Sequence, residues 1–336
     1  MISLKEFVQI IVIHASFFLF YSSAFIFYWY IIKGLIFGSL LVKTVICVYI
    51  IYILINYHVY HSAYDGNGPV FLRSKYFFGF MRGYFPVEIR KTAEIPPNRN
   101  YILAYFPHGL LTIGLSINLL HDIQPFLRLF PGIRPKVATL NVNFWTPVLR
   151  EIWRWFGYIP VSKQSLLYYL NKSNDAEHPD NVDGYTSYMV GLSVGGAQES
   201  QLTEPGKYTI LLKKRFGFVK LAIQTGSPIV PSFGFGENDL YTILDKSWFR
   251  PIQRFHKKYF GYVPVLMKGR FNFVLPYKKR VTLVVGSPID VKRTTNPDPA
   301  YVAEIHAKVI EAVREIFETY KSEYIENSEN VELVVT

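Results

Sequence analysis

Asn100-Tyr101-Ile102-Leu103-Ala104-Tyr105-Phe106-Pro107-His108-Gly109, followed by an apolar stretch from Leu110 to Leu120, decides how the chain is read. Asn100 to Tyr105 predicts a strand and Leu110 to Leu120 a helix. Strands alternating with helices make an α/β domain, and in an open α/β sheet ligands bind beyond the strand ends. Pro107 stiffens the approach, and Gly109 permits close backbone contact. A histidine there, His108, is placed to take a proton from an alcohol near neutral pH. Taken alone, a lone His at a helix start is more often a capping or packing group, and the chain holds eight histidines.

The alternation continues downstream. Strands are predicted at Lys136–Leu140, Tyr158–Val161, Tyr188–Val194, Tyr208–Lys213, Pro228–Phe233 and Val281–Val285. Helices are predicted at Pro147–Phe156, ended by Gly157, and at Phe216–Gln224, closed by Gly226. Asp298 caps a last helix with Pro299 at its first position, and Ile305, Val309, Ala312, Ile316 and Tyr320 line one face of it. Asn171–Asp183 has the composition of an exposed loop, and the tail after Glu323 reads as frayed. No internal repeat stands out.

Two further stretches carry chemistry. Gly195-Gly196-Ala197-Gln198-Glu199-Ser200 directly follows a predicted strand. Paired glycines leave backbone N–H groups uncovered, which suits an anion or an oxyanion. Glu199 is the candidate to orient an imidazole or to hold a polar substrate group. The plain alternative is a tight turn with a solvated Glu. Lys213-Lys214-Arg215-Phe216-Gly217-Phe218-Val219-Lys220 then clusters cations at a helix start, where dipole logic disfavours them unless an anion binds. The plain alternative is a solvated basic face.

Composition bounds the rest. The chain has 336 residues, a formal charge of +11, 50% hydrophobic and 17% aromatic residues. A basic, apolar protein points to a membrane surface or a polyanionic ligand, and not to nucleic acid. Cys47 is the single cysteine, which excludes an intrachain disulfide and a zinc site of several thiolates. No Asp, Glu, Lys or Arg occurs from Phe7 to Ile32, and a second apolar stretch, Leu35–Tyr57, contains only Lys43. This predicts an N-terminal transmembrane helical hairpin, with a re-entrant hairpin as its rival. A cleaved signal peptide fits poorly, because the apolar core is too long. Arg73, Lys75, Arg82, Arg90 and Lys91 on the downstream flank place both ends of the hairpin in the cytosol. The expected division is a membrane-anchoring hairpin over residues 1–64 and a cytosol-facing domain over residues 65–330.

Together these stretches resemble the type 2 diacylglycerol acyltransferase family, which includes monoacylglycerol and wax alcohol acyltransferases. The resemblance runs from about Arg82 to Val335 and includes the hairpin. It rests on Tyr84-Phe85-Pro86, Arg99-Asn100-Tyr101-Ile102, Pro107-His108-Gly109, Pro131-Gly132-Ile133-Arg134-Pro135 and Pro147-Val148-Leu149-Arg150-Glu151. It continues through Gly195 to Ser200, Pro205-Gly206-Lys207, Gly217 to Ala222 and Phe235-Gly236-Glu237-Asn238. It implies a mixed sheet flanked by helices, like that of the glycerolipid acyltransferases. It implies transfer of an acyl group from acyl-CoA to diacylglycerol, monoacylglycerol or a long-chain alcohol, with retinol as a further acceptor in or near the family. Acyl-CoA is then a co-substrate, with neither cofactor nor metal required. The implied setting is the endoplasmic reticulum membrane or the lipid droplet, with membrane lipid as partner, and a homo-oligomer is allowed.

The resemblance makes His108 and Glu199 the catalytic candidates, with Gly109, Gly195, Gly196, Lys213, Lys214, Arg215 and Lys220 binding substrate. Two departures matter. Animal members usually carry a His where this chain has Phe106, so Phe106 is assigned no chemistry and its replacement by His is expected to change little. The wider superfamily pairs its His with an Asp five residues on, and here that position is Ile113. Two rivals remain. Gly191-Leu192-Ser193-Val194-Gly195 matches the letters of a lipid hydrolase motif, although Ser193 lies inside an apolar run. A non-catalytic membrane protein that has kept the fold is the other.

Overall fold

The residues Tyr101–Phe106 form β2, and every one of them is buried. Tyr101, Leu103 and Tyr105 face one core cluster, while Ile102, Ala104 and Phe106 face another. A strand alternates its side chains between the two faces of a sheet, so apolar residues at every position mean that both faces are covered. The computed structural model describes residues 4–59 and 83–336, except residues 85, 122, 147, 180, 182, 183, 261, 262, 273 and 274.

A seven-stranded mixed sheet runs in the order β1 (Val87–Lys91), β10 (Val281–Val285), β7 (Ile229–Phe235), β2, β5 (Ser187–Ser193), β3 (Ile133–Thr139), β4 (Tyr158–Pro160). The five strands from β7 to β4 are parallel to one another. β10 runs against β7, and β1 runs alongside β10. The long helix α10 (Pro299–Tyr324) and α8 (Gly217–Thr225) cover one face, through Val302, Ile305, Val309, Val313 and Phe317 on α10 and Val219, Ala222 and Ile223 on α8. The other face is covered by α3 (Ile113–Ser116) and its wide-turn continuation Ile117–His121, then α4 (Ile123–Leu129), through Leu115, Leu119 and Phe126. Further helices among the described residues are α1 (Leu4–Phe37), α2 (Leu40–Val59), α5 (Leu149–Trp155), α6 (Lys163–Leu170), α7 (Gly196–Glu199) and α9 (Arg250–Phe260). The remaining strands are β6 (Tyr208–Ile210), β8 (Thr242–Leu244), β9 (Leu266–Lys268) and β11 (Leu333–Val335).

The expected transmembrane hairpin is corrected: among the described residues no helix is long and apolar enough to cross a membrane. α1 and α2 are separated by Gly38 and Ser39, and Gly34 of α1 lies against Val42 and Ile46 of α2. Absence of formal charge is the weaker criterion, because sustained apolarity over the full span is what a bilayer demands. In α2, Lys43 stands near the start and Asn56 and His58 near the end. The uninterrupted stretch Thr44–Ile55 then rises only about 18 Å, against a hydrocarbon core of about 30 Å. In α1 the uncharged run is broken by Gln9, His14, Ser16, Tyr21, Ser22 and Ser23. The hairpin also leans on the sheet domain: Val148 N–H donates to Tyr49 Oη at 2.9 Å, and Arg150 to the Ile53 carbonyl at 3.3 Å. The division at residues 64 and 65, and the flanking Arg73, Lys75 and Arg82, lie outside the described residues.

Two smaller expectations also change. The tail is not frayed, since β11 pairs in parallel with β6 from Leu333↔Tyr208 to Val335↔Ile210. The helix expected over Leu110–Leu120 begins only at Ile113, because Gly109 and Thr112 sit at positive φ and hold the preceding residues in a turn.

Candidate active site

Three neighbouring parallel strands, β5, β2 and β7, end at the same edge of the sheet. Each is followed by one ionisable residue of interest: Glu199 at the end of α7 after β5, His108 just past β2, and Glu237 just past β7. His108 is half-buried, and both carboxylates are only 1% exposed.

The imidazole Nδ1 of His108 lies 3.0 Å from the Gly109 carbonyl oxygen. A carbonyl only accepts, so Nδ1 carries the hydrogen and the Nε2 lone pair is the basic one. Burial holds this imidazole below its ordinary pKa, opposed by the carbonyls of Gly109 and His108. It is therefore neutral near pH 7, as a base must be.

Glu199 reaches His108 through the backbone. Its Oε1 accepts from the His108 N–H at 2.5 Å, and its Oε2 accepts from the Leu211 N–H at 2.6 Å. Burial pushes its pKa up to about 7, against the lowering effect of these two N–H groups and of Arg215. The imidazole is oriented by the Gly109 carbonyl, and Glu199 clamps the loop that carries it.

Glu237 clamps the other side of that loop. It accepts from the Ile113 N–H at 2.8 Å, the Gly114 N–H at 2.7 Å and the Tyr105 hydroxyl at 2.6 Å. Burial lifts its pKa to about 7 despite these three donors. Burial, reinforced by the charge of Glu237, raises the Tyr105 phenol well above its ordinary range and keeps it a donor. Sequence reasoning quoted Phe235-Gly236-Glu237-Asn238 only as a likeness and missed this role. The signal was available: a carboxylate two residues beyond a fully buried strand occupies the same kind of place as His108, two residues beyond β2.

The glycines make room for these carboxylates. A side chain at Gly195 would strike the Glu199 carboxylate, and one at Gly109, which also has φ +58°, would strike Glu237. Gly196 differs, because at φ +62° its missing side chain would point into open space. Gly195 is right-handed and Gly196 left-handed, the succession that aims backbone N–H groups into one concavity.

The sequence of residues 35–336 matches the family model described as "Diacylglycerol acyltransferase". The chain belongs to the diacylglycerol acyltransferase family. It is 36% identical to Diacylglycerol O-acyltransferase 2 of Danio rerio, over 78% of this chain and 74% of that one. It is 35% identical to Diacylglycerol O-acyltransferase 2-like protein 6 of Homo sapiens, over 79% and 78%. It is 33% identical to 2-acylglycerol O-acyltransferase 1 of Homo sapiens, over 85% and 84%. Among solved structures, the 1-acyl-sn-glycerophosphate acyltransferase PlsC of Thermotoga maritima aligns over 94% of this chain and 97% of that chain, with a TM-score of 0.43 and 15% identity.

As a diacylglycerol acyltransferase family member the chain is an acyltransferase, and the hydrolase rival finds no support in its geometry. Ser193 is the last residue of β5, paired with Tyr105 inside the sheet, and has no positive φ. A hydrolase nucleophile instead stands exposed on a sharp strand-to-helix turn. The basic cluster of this acyltransferase is split in two. Arg215 is spent on the glycine turn, donating to the Gly195 carbonyl at 3.1 Å and to Gln198 at 2.7 Å. Lys213, Lys214 and Lys220 are exposed. Lys213 and Lys214 follow Leu211, whose N–H rests on Glu199, by two and three residues, and Lys220 lies on α8.

Proposed function

We propose that this acyltransferase moves a fatty acyl group from acyl-CoA to the free hydroxyl of diacylglycerol, with His108 as general base. The observation that carries the proposal is the half-buried His108 past the end of β2, whose Nδ1 is held by the Gly109 carbonyl so that Nε2 is the basic nitrogen of a neutral ring. In the proposed step Nε2 takes the hydroxyl proton as the oxygen attacks the thioester carbon. The tetrahedral oxyanion then collapses, the C–S bond breaks, and the imidazolium returns its proton to the departing thiolate. The turn at Gly195 and Gly196 would donate N–H groups to that oxyanion, and one such donor is worth about 3 kcal/mol. Lys213, Lys214 and Lys220 would hold the coenzyme A phosphates. Acyl-CoA is consumed as a co-substrate, and the chemistry as written calls on no cofactor or metal.

The proposed setting is the cytosolic face of the endoplasmic reticulum membrane, or the lipid droplet, where a diacylglycerol acceptor resides. The likeness to a 2-acylglycerol O-acyltransferase favours monoacylglycerol as the second acceptor to test. The deciding experiment offers the purified protein one labelled acyl-CoA and a panel of diacylglycerol, monoacylglycerol, long-chain alcohol and retinol. Triacylglycerol is expected to be the dominant product. Labelled product from another acceptor alone would overturn the choice of diacylglycerol.

A further inference from the structure

The sheet edge that carries His108 also carries a short excursion. Beyond β7 and the turn of Glu237, β8 and β9 form an antiparallel ribbon, and α9 lies between them. At about 100° per residue, Ile252, Phe255 and Tyr259 fall in one narrow stripe of α9, and Trp248 continues the stripe in the turn before it. All four are exposed, Trp248 by 65%, Tyr259 by 61% and Phe255 by 54%. Arg254, Lys257 and Lys258 stand exposed around the rest of the helix. Between residues 245 and 260 five cations face one carboxylate, Asp245, which pairs with Arg250 at 2.6 Å. The helix rests on the domain through half-buried Gln253 and His256, with Gln253 donating to the Pro264 carbonyl at 3.0 Å.

Four large apolar side chains in water carry a free-energy cost that covering would relieve. The chemistry selects what covers them. Lys and Arg lay their stems along apolar surface while keeping the charge in water, and Trp and Tyr favour the level of lipid head groups. A basic face without offsetting carboxylates seeks an anionic surface. We propose that α9 is an interfacial helix that lays the active-site edge onto an anionic lipid surface, with Trp248, Ile252, Phe255 and Tyr259 entering the head-group boundary. The proposal rests on the reading that the acceptor is a membrane lipid, since it brings the edge of His108 to where such an acceptor lies.

The test follows Trp248 itself. Full-length protein is mixed with vesicles of brominated phosphatidylcholine, with or without phosphatidylserine, and tryptophan quenching is compared between wild type and Trp248→Phe. Quenching on the anionic vesicles is expected to drop in Trp248→Phe. Neutralising Arg254, Lys257 and Lys258 to Gln is expected to weaken half-saturation about fivefold per charge. All three are exposed, so folding is not at stake. Equal quenching of wild type and Trp248→Phe, or equal affinity for vesicles without phosphatidylserine, overturns the proposal. Turnover of a detergent-dispersed acceptor is expected to be unchanged in these variants, and its loss would assign α9 to the substrate site instead. Normal vesicle binding by a wild type that transfers no acyl group would strike the functional reading alone.

Discussion

Glu199 and Glu237 hold the two sides of the loop that presents His108, and each does so with both carboxylate oxygens. A glutamine has one acceptor oxygen, and its NH2 would face a backbone N–H. Glu199→Gln therefore leaves the N–H of His108 or of Leu211 unpaired, a cost of about 1–3 kcal/mol. The expected outcome is a lower kcat with the acid limb of the pH–rate profile unmoved, because Glu199 touches the backbone and not the imidazole. A shifted acid limb would show that the carboxylate acts on the imidazole charge. Phe106 needs a corrected expectation. It is fully buried in the core beside β7, opposite Phe233. Phe106→His would bury an imidazole among apolar groups, so a loss of stability of about 1–3 kcal/mol is expected, measured as a lower unfolding midpoint. An unchanged midpoint would show that the core accommodates the ring.

The strands and helices that the sequence announced were those with a clear period and clear punctuation. β2, β10, α8 with Gly226 and α10 with Asp298 and Pro299 all lie close to their predicted places. Elements governed by distant partners were not legible. β11 has three residues and is recognisable only by its pairing with β6, and the first two N–H groups of α3 are satisfied by Glu237, more than a hundred residues away. The same holds at the site. His108 and Glu199 could be named from their places after strands, but nothing local announces that Glu199 meets the His108 backbone. β11 also bears on the basic loop, because the Thr336 carbonyl accepts from the N–H groups of both Leu212 and Lys213. His306 on α10 supports the same stretch, with Nε2 2.9 Å from the Leu212 carbonyl. Neutralising Lys213, Lys214 and Lys220 together is expected to raise the KM for acyl-CoA more than that for the acceptor. Shortening the chain after Val331 is expected to do likewise, by releasing the loop. Equal effects on both substrates would make the cluster a general charged surface.

At the scale of the whole molecule, two buried carboxyls gathered at one sheet edge make folding sensitive to pH. Each is raised from 4.5 to about 7, so the folded chain holds these protons more tightly than the unfolded chain. Their contribution to stability is fully present below pH 4.5 and is lost as pH rises through about 7. Denaturant unfolding measured across this window is expected to show stability falling with pH, with a shallower slope in Glu237→Gln. Identical slopes would mean that Glu237 does not titrate there. The sheet brings its three parallel strand ends together so that one histidine stands neutral and oriented, and acyl transfer is expected to depend on it. The most direct test is the initial rate of labelled acyl transfer from acyl-CoA to diacylglycerol by His108→Ala, at matched protein level and unfolding midpoint. General-base catalysis predicts a loss of about 10²–10⁴-fold; a rate near that of wild type would contradict it.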